Sequence, residues 1–64
     1  MSLREIRFYK GLSQYDITLR TGIPQSKISL IERGYVQPGD DEKERIAKAL
    51  KCRVGEVFPE TQGG

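Results

Sequence analysis

The chain has 64 residues, enough for one small domain with a thin core but too few for an enzyme core with a substrate cleft. It contains no His and one Cys, so neither a common zinc-ligand set nor an intrachain disulfide can be assembled from it. The balance of 36% hydrophobic and 31% charged residues excludes a membrane-spanning or disordered chain. The net charge of +2 does not by itself indicate a polyanionic partner.

Two capped helices are predicted in the first third of the chain. Residues 2–5, Ser-Leu-Arg-Glu, have the capping-box pattern, in which a Ser and a Glu three residues later close the first turn. They open a helix that extends to about Lys10. Residues 13–16, Ser-Gln-Tyr-Asp, repeat the pattern and open a second helix to about Thr21. Gly22 can then adopt the left-handed conformation that ends a helix.

A third helix is predicted over residues 25–34, with Pro24 in its first turn, where the missing N–H costs nothing. When its residues are projected at about 100° each, Ile28 and Ile31 point toward the core. The opposite sector, roughly 100° wide, carries short hydrogen-bonding side chains and one cation. These are Gln25, Ser26, Ser29 and Arg33.

Two further helices are predicted after a loop at residues 35–39. Four carboxylates crowd residues 40–44, at the start of the fourth helix, and lysines 48 and 51 lie at its end. The helix macrodipole favours both placements. The inward faces of these two helices are predicted to consist of Ile46, Ala47, Leu50, Val54, Val57 and Phe58.

Five helices this short can fold only by pooling their apolar faces into one core, so the predicted fold class is all-α. No segment alternates with the period of two that a strand requires. The second and third helices, joined by a short turn that contains Gly22, are predicted to form a helix-turn-helix.

The exposed face of the third helix suits the major groove of B-DNA, into which an α-helix fits. There Gln pairs with adenine, Ser bonds to several bases, and Arg contacts guanine or a phosphate. Residues 1–34 carry six Lys/Arg against three Asp/Glu, whereas residues 35–64 carry five against six. The half that contains the motif is therefore the half suited to an anionic partner.

Residues at fixed offsets between Leu3 and Phe58 extend this pattern. They are Gly-Leu-Ser-Gln at 11–14, Ile-Thr at 17–18, Thr-Gly-Ile at 21–23, Gln-Ser at 25–26, Ile-Ser-Leu-Ile-Glu-Arg-Gly at 28–34, Ile-Ala-Lys-Ala-Leu at 46–50 and Glu-Val-Phe at 56–58. In these residues the chain resembles the lambda-repressor-like, Cro-type helix-turn-helix family of bacterial and phage regulators, including its xenobiotic-response-element group. The resemblance implies a compact five-helix DNA-binding domain over residues 1–59; residues 60–64 are expected to form a disordered tail.

The resemblance also implies roles for particular side chains. Those expected to contact bases are Gln25, Ser26, Ser29 and Leu30, the last through a thymine methyl group. Those expected to contact phosphates are Ser13, Gln14, Lys27, Arg33 and Gln37. In related repressors a Gln at the position of Gln14 also braces the one at Gln25. Arg7 and Glu32 match a pair that forms a salt bridge between the first and third helices, which would position the recognition helix.

Several residues depart from the family pattern. Thr18 replaces a common Ala and Thr21 an apolar residue; each hydroxyl is expected to bond to the carbonyl one turn earlier. Asp40 and Lys43 occupy positions where Leu is common. Lys51 stands where Gly often ends the fourth helix, so a left-handed conformation there implies strain of about 1 kcal/mol.

The predicted function is that of a cytoplasmic, sequence-specific transcriptional regulator, a small repressor that binds double-stranded DNA as a homodimer on a palindromic operator. No catalytic residue, metal, cofactor, membrane segment or small-molecule ligand domain is expected. The alternative is an antitoxin or adaptor that uses this fold to bind a protein. Phe8, Tyr15 and Leu19, which lie off the inward faces of the first two helices, are then an exposed docking patch.

Overall fold

The computed structural model describes residues 2–59, and over this range the chain is helical with no strand. Its five helices are α1 (Leu3–Tyr9), α2 (Gln14–Thr21), α3 (Gln25–Glu32), α4 (Asp40–Ala49) and α5 (Val54–Val57). The predicted all-α class and the helix-turn-helix made by α2 and α3 are confirmed. The tail expected at 60–64 lies outside the described residues.

The two predicted capping boxes are present. The Ser2 hydroxyl accepts from the Glu5 N–H while the Glu5 carboxylate accepts from the Ser2 N–H. Ser13 and Asp16 make the same pair of bonds at the start of α2. Gly22 has φ of +79° and ends α2 in the left-handed conformation, as expected.

α3 begins at Gln25, as predicted, and only the place of Pro24 differs from the prediction. Pro24 precedes the first turn as its cap, with φ of −56° and ψ of 144°, instead of lying within that turn. Its carbonyl accepts from the N–H groups of Lys27 and Ile28. The restriction that proline places on its own φ still fixes the entry to α3.

One core joins all five helices. Its fully buried side chains come from α2, the turn after it, α3 and α4, so the helix-turn-helix rests directly on α4. The buried apolar residues are Leu3, Ile6, Ile17, Ile23, Ile28, Ile31, Ile46, Ala47, Leu50, Val57 and Phe58. Val54, predicted to face inward, packs against this core but is only partly buried.

Two arginines join the carboxyl ends of α2 and α4. The Nη1 of Arg45 donates to the Thr21 carbonyl at 2.8 Å, and the Nη1 of Arg20 donates to the Ala49 carbonyl at 3.1 Å. Each helix therefore places a cation at the negative end of the other, where the macrodipole favours it.

The two threonines of α2 behave differently. Thr21 Oγ1 donates to the Ile17 carbonyl at 2.7 Å, as expected, and also accepts from the Ile23 N–H. The same expectation is wrong for Thr18, whose buried Oγ1 has no hydrogen-bond partner among the described residues. Thr18 therefore buries a hydroxyl without a compensating bond.

Lys51 has a φ of +57°, which lies in the left-handed region that is unfavourable for residues with a side chain. We expect Lys51→Gly to raise the free energy of unfolding by about 0.5 to 1 kcal/mol, measured by urea denaturation. The matched control is Lys48→Gly within α4, which should lower it by about 1 kcal/mol. A destabilised Lys51→Gly protein would show that this conformation is not strained.

Candidate nucleic-acid interface

The recognition-helix candidate α3 has one buried and one open face. Ile28 and Ile31 lie in the core. On the other side Gln25, Ser26, Leu30 and Arg33 are exposed and Ser29 is half-buried. Polar, hydrogen-bonding side chains and one leucine therefore form the outer surface of a helix whose inner surface is packed in the core.

Glu32, the last residue of α3, is tied to both preceding helices. Its Oε2 accepts from Arg7 Nε at 2.7 Å, and its Oε1 accepts from Arg7 Nη2 at 3.2 Å and Gln14 Nε2 at 3.0 Å. Arg7 Nη1 also donates to the Leu12 carbonyl. The salt bridge that the resemblance implies is therefore present, and two hydrogen bonds join its side chains. Both side chains are almost fully buried, with 8% of Arg7 and 4% of Glu32 exposed.

Gln14 has a different partner from the one implied. Its amide donates to Glu32, and within residues 2–59 no hydrogen bond joins it to Gln25. Gln14 begins α2, and its amide reaches Glu32 at the carboxyl end of α3, whereas Gln25 begins α3. Gln14 therefore braces the recognition helix at the end opposite to the expected one.

Lys27 is engaged with α4. Its Nζ lies 2.7 Å from Glu42 Oε2, and the Oε1 of the same carboxylate accepts from the Gly39 N–H. The phosphate contact predicted for Lys27 would require this ion pair to open. As the structure stands, Lys27 and Glu42 join the start of α3 to the start of α4.

The Lys27–Glu42 pair gives a pH prediction. Hydrogen bonds from the Lys27 ammonium and the Gly39 N–H hold the pKa of the Glu42 carboxyl below its ordinary 4.5. Because the pKa of Glu42 is lower in the folded than in the unfolded protein, the stabilisation from this ion pair is complete above the unfolded-state pKa. It is lost as the pH falls through the folded-state pKa. We expect Glu42→Gln to lose thermal stability at neutral pH and to show a shallower further loss below about pH 4. Melting temperatures measured as a function of pH, with Glu44→Gln as the control, test this prediction. A loss of melting temperature at acid pH as steep as that of the wild-type protein would contradict it.

A cleft of about 230 Å³ lies where α1, the start of α2 and the end of α3 meet. Arginine and polar side chains dominate its walls, which are Arg4, Arg7, Phe8, Gln14, Ser29, Glu32 and Arg33. It brings together three of the predicted DNA-contact residues with the Arg7–Glu32 pair. The other candidates, Ser13, Gln25, Ser26, Lys27, Leu30 and Gln37, do not line it.

Sequence reasoning did not assign Arg4 to this site. The available signal was helical spacing, since Arg4 lies one turn before Phe8 and three residues before Arg7 on α1. That spacing alone does not say which face of α1 approaches α3, and only the packed arrangement does. Within residues 2–59 no group of His, Cys, Asp and Glu is placed to hold a metal ion.

The fold and this surface together define a helix-turn-helix domain with an open, polar recognition helix. The helix-turn-helix family model matches residues 3–57, and the chain belongs to this lambda-repressor and Cro-like family of DNA-binding transcriptional regulators. It is similar to an uncharacterized HTH-type transcriptional regulator, y4dL, of Sinorhizobium fredii, with 38% identity over 52 residues.

The match to that relative covers 81% of this chain and 26% of the relative, so the chain spans about a quarter of the relative's length. No solved structure matches the chain. Within residues 2–59 no helix has both the length and the apolar character that crossing a bilayer requires.

Proposed function

We propose that the protein is a sequence-specific repressor that inserts α3 into the DNA major groove and acts as a homodimer on a palindromic operator. The observation that carries the proposal is the open polar face of α3 on a helix held at both ends. Glu32 joins one end to α1 and α2, and Lys27 joins the other to α4. A helix fixed in this way reads base edges with little loss of conformational entropy on binding.

The proposed base contacts are those on the exposed side of α3. Gln25 and Ser26, in its first turn, are closest to the end of the helix that enters a groove first in this motif. Ser29 and Leu30 continue the surface one turn further along. A Gln amide recognises adenine through two hydrogen bonds, and Leu30 offers only apolar contact to a thymine methyl.

The proposed phosphate contacts surround this surface. Ser13 and Gln14 lie at the start of α2, Arg33 follows α3, and Gln37 is exposed in the loop before α4. These contacts would fix the register of the domain on the duplex without reading sequence. Lys27 joins them only if DNA displaces Glu42 from its ammonium.

A homodimer is proposed because one such domain covers a small interface, about 600–1,000 Å² on the protein side. Two copies on half-sites one helical turn apart multiply the affinity and give the operator its symmetry. Val57 and Phe58, at the end of the domain, are buried in the core of the single chain. The dimer contact is therefore proposed to use other residues.

Fluorescence anisotropy on two labelled duplexes tests the proposal, one with the DNA upstream of the protein's own gene and one with the same bases scrambled. We expect preference for the upstream duplex at both about 50 and 200 mM salt, with a sigmoidal isotherm. Equal, weak binding that disappears at the higher salt would contradict sequence-specific recognition. A hyperbolic isotherm with one chain per duplex would contradict the dimer.

The second candidate function is binding of a partner protein, favoured by the exposure of aromatic and aliphatic side chains. Tyr15 and Leu19 lie one turn apart on the outer side of α2, and 57% and 65% of their surfaces are open. Phe8 is also exposed but borders the cleft. Leu19→Ser separates the two functions, because it should leave DNA affinity unchanged while weakening a complex that uses this patch.

A further inference from the structure

Two arginines of the α1–α2–α3 cleft have no acidic partner among residues 2–59. Arg7 is neutralised by Glu32, but within residues 2–59 neither the Arg4 nor the Arg33 side chain makes an ion pair or a hydrogen bond. The cleft therefore carries three guanidinium groups against one carboxylate. Its two surplus positive charges are close to Gln14 and Ser29, which add neutral hydrogen-bonding groups.

Phe8 holds this arrangement together. Its ring lies 4.7 Å from the Arg7 guanidinium carbon and 5.5 Å from that of Arg4, measured to the ring centroid. Both distances are within the range of cation–π attraction. Arg7 is fixed by Glu32, so the ring is fixed against Arg7 and in turn presents a surface for Arg4. The exposure of Phe8, at 61%, therefore has an explanation within the chain.

The chemistry of the cleft favours a compact oxyanion with at least two oxygen atoms that can accept hydrogen bonds. Guanidinium groups recognise phosphate oxygens in a fixed geometry and keep their charge at all relevant pH values. A volume of about 230 Å³ admits one phosphate group with its first hydration waters. Ser29 of α3 and Arg33, which directly follows α3, border the same cleft, so an anion there lies beside the recognition helix and not on a remote surface.

We propose that this cleft binds one backbone phosphate of the DNA, with Arg4 as a direct ligand alongside Arg33 and with Phe8 positioning Arg4. The proposal rests on the proposed function, since it names how α1 takes part in the same interface. Arg7 is not a ligand of this phosphate; its charge is consumed by Glu32. The phosphate belongs to the strand that flanks the groove on the α1 side of α3.

The salt dependence of DNA affinity tests the role of Arg4. Each neutralised phosphate contributes a slope of about −0.9 to the plot of log affinity against log salt concentration. We expect Arg4→Gln to make this slope less steep by about 0.9 for each bound protomer, or about 1.8 for a homodimer, on the upstream and the scrambled duplex alike. The matched control is Arg53→Gln, an exposed arginine at the start of α5 that does not line the cleft; its slope should stay close to wild type.

Phe8→Leu tests positioning separately from charge. It keeps both arginines but removes the aromatic ring, so we expect a loss of about two- to fivefold in affinity with a nearly unchanged slope. A purely structural role would appear as a lower melting temperature with unchanged affinity of the folded protein. That result would remove Phe8 from the proposal.

The outcomes separate the two proposals. If the wild-type protein binds the upstream duplex but Arg4→Gln retains the full slope, the phosphate site is wrong and DNA recognition stands. If the wild-type protein binds no DNA, both fail as stated. In that case, shifts of the Arg4 and Arg33 Nε–H signals during titration with inorganic phosphate would show an anion site that serves another ligand, and their absence would show none.

Discussion

Glu32→Ala is expected to remove a large part of the free energy of unfolding of the protein. The substitution leaves the Arg7 guanidinium, 8% exposed, without its anion and removes the acceptor of the Gln14 amide. Removal of one partner from a buried ion pair costs about 3–5 kcal/mol, mainly because the remaining charge is uncompensated. A domain of this length has a free energy of unfolding of only about 3–10 kcal/mol, so the loss is a large part of it.

Urea denaturation followed by circular dichroism measures this effect, with Glu44→Ala on α4 as the exposed-carboxylate control. Glu44→Ala should change the free energy of unfolding by less than about 0.5 kcal/mol. The double variant Arg7→Met, Glu32→Leu replaces the pair with apolar side chains of similar size and should recover most of the lost stability. If Glu32→Ala and Glu44→Ala were equally stable, the pair would not hold α1 and α2 to α3.

The recovery expected of the double variant also has a functional consequence. An apolar pair restores packing between α1 and α3 but not the bond from Gln14 to Glu32. Stability and the exact position of the recognition helix are therefore separable. If the double variant folded but bound the operator more weakly, the role of the charged pair would be to orient the recognition helix rather than to stabilise the fold.

The features predicted well from sequence depend on residues close together in the chain. The capping boxes at Ser2 and Ser13 involve partners three residues away, and the left-handed Gly22 follows from backbone sterics. The core positions of α3 follow from helical periodicity, which Ile28 and Ile31 satisfy. Such local rules decide where helices begin, end and turn their apolar faces.

The features that the sequence did not yield depend on how the helices approach each other. Lys27 meets a carboxylate 15 residues away, and Gln14 one 18 residues away. No local pattern distinguishes these pairs from solvated charges. Thr18 shows the converse, because its expected bond within α2 is absent although the equivalent bond of Thr21 forms. The resemblance supplied the Arg7–Glu32 pair only because the family repeats it.

Gln25→Ala is expected to cost about 1–3 kcal/mol at one base pair of each half-site, or roughly five- to 150-fold in affinity per half-site, and to abolish preference at that position. Gln25 is exposed in the first turn of α3 and makes no hydrogen bond through its side chain within residues 2–59. Its truncation should therefore leave folding almost unchanged. The loss would come from adenine-edge bonds made only with the correct base.

Competition anisotropy with duplexes that differ from the operator by one base pair measures this loss. The matched control is Gln37→Ala, the same substitution at a proposed phosphate contact in the loop before α4. It should weaken all duplexes by a similar factor, because a phosphate contact carries no sequence information. If Gln25→Ala also weakened cognate and altered duplexes equally, Gln25 would not read a base. The recognition surface would then have to lie further along α3, at Ser29 and Leu30.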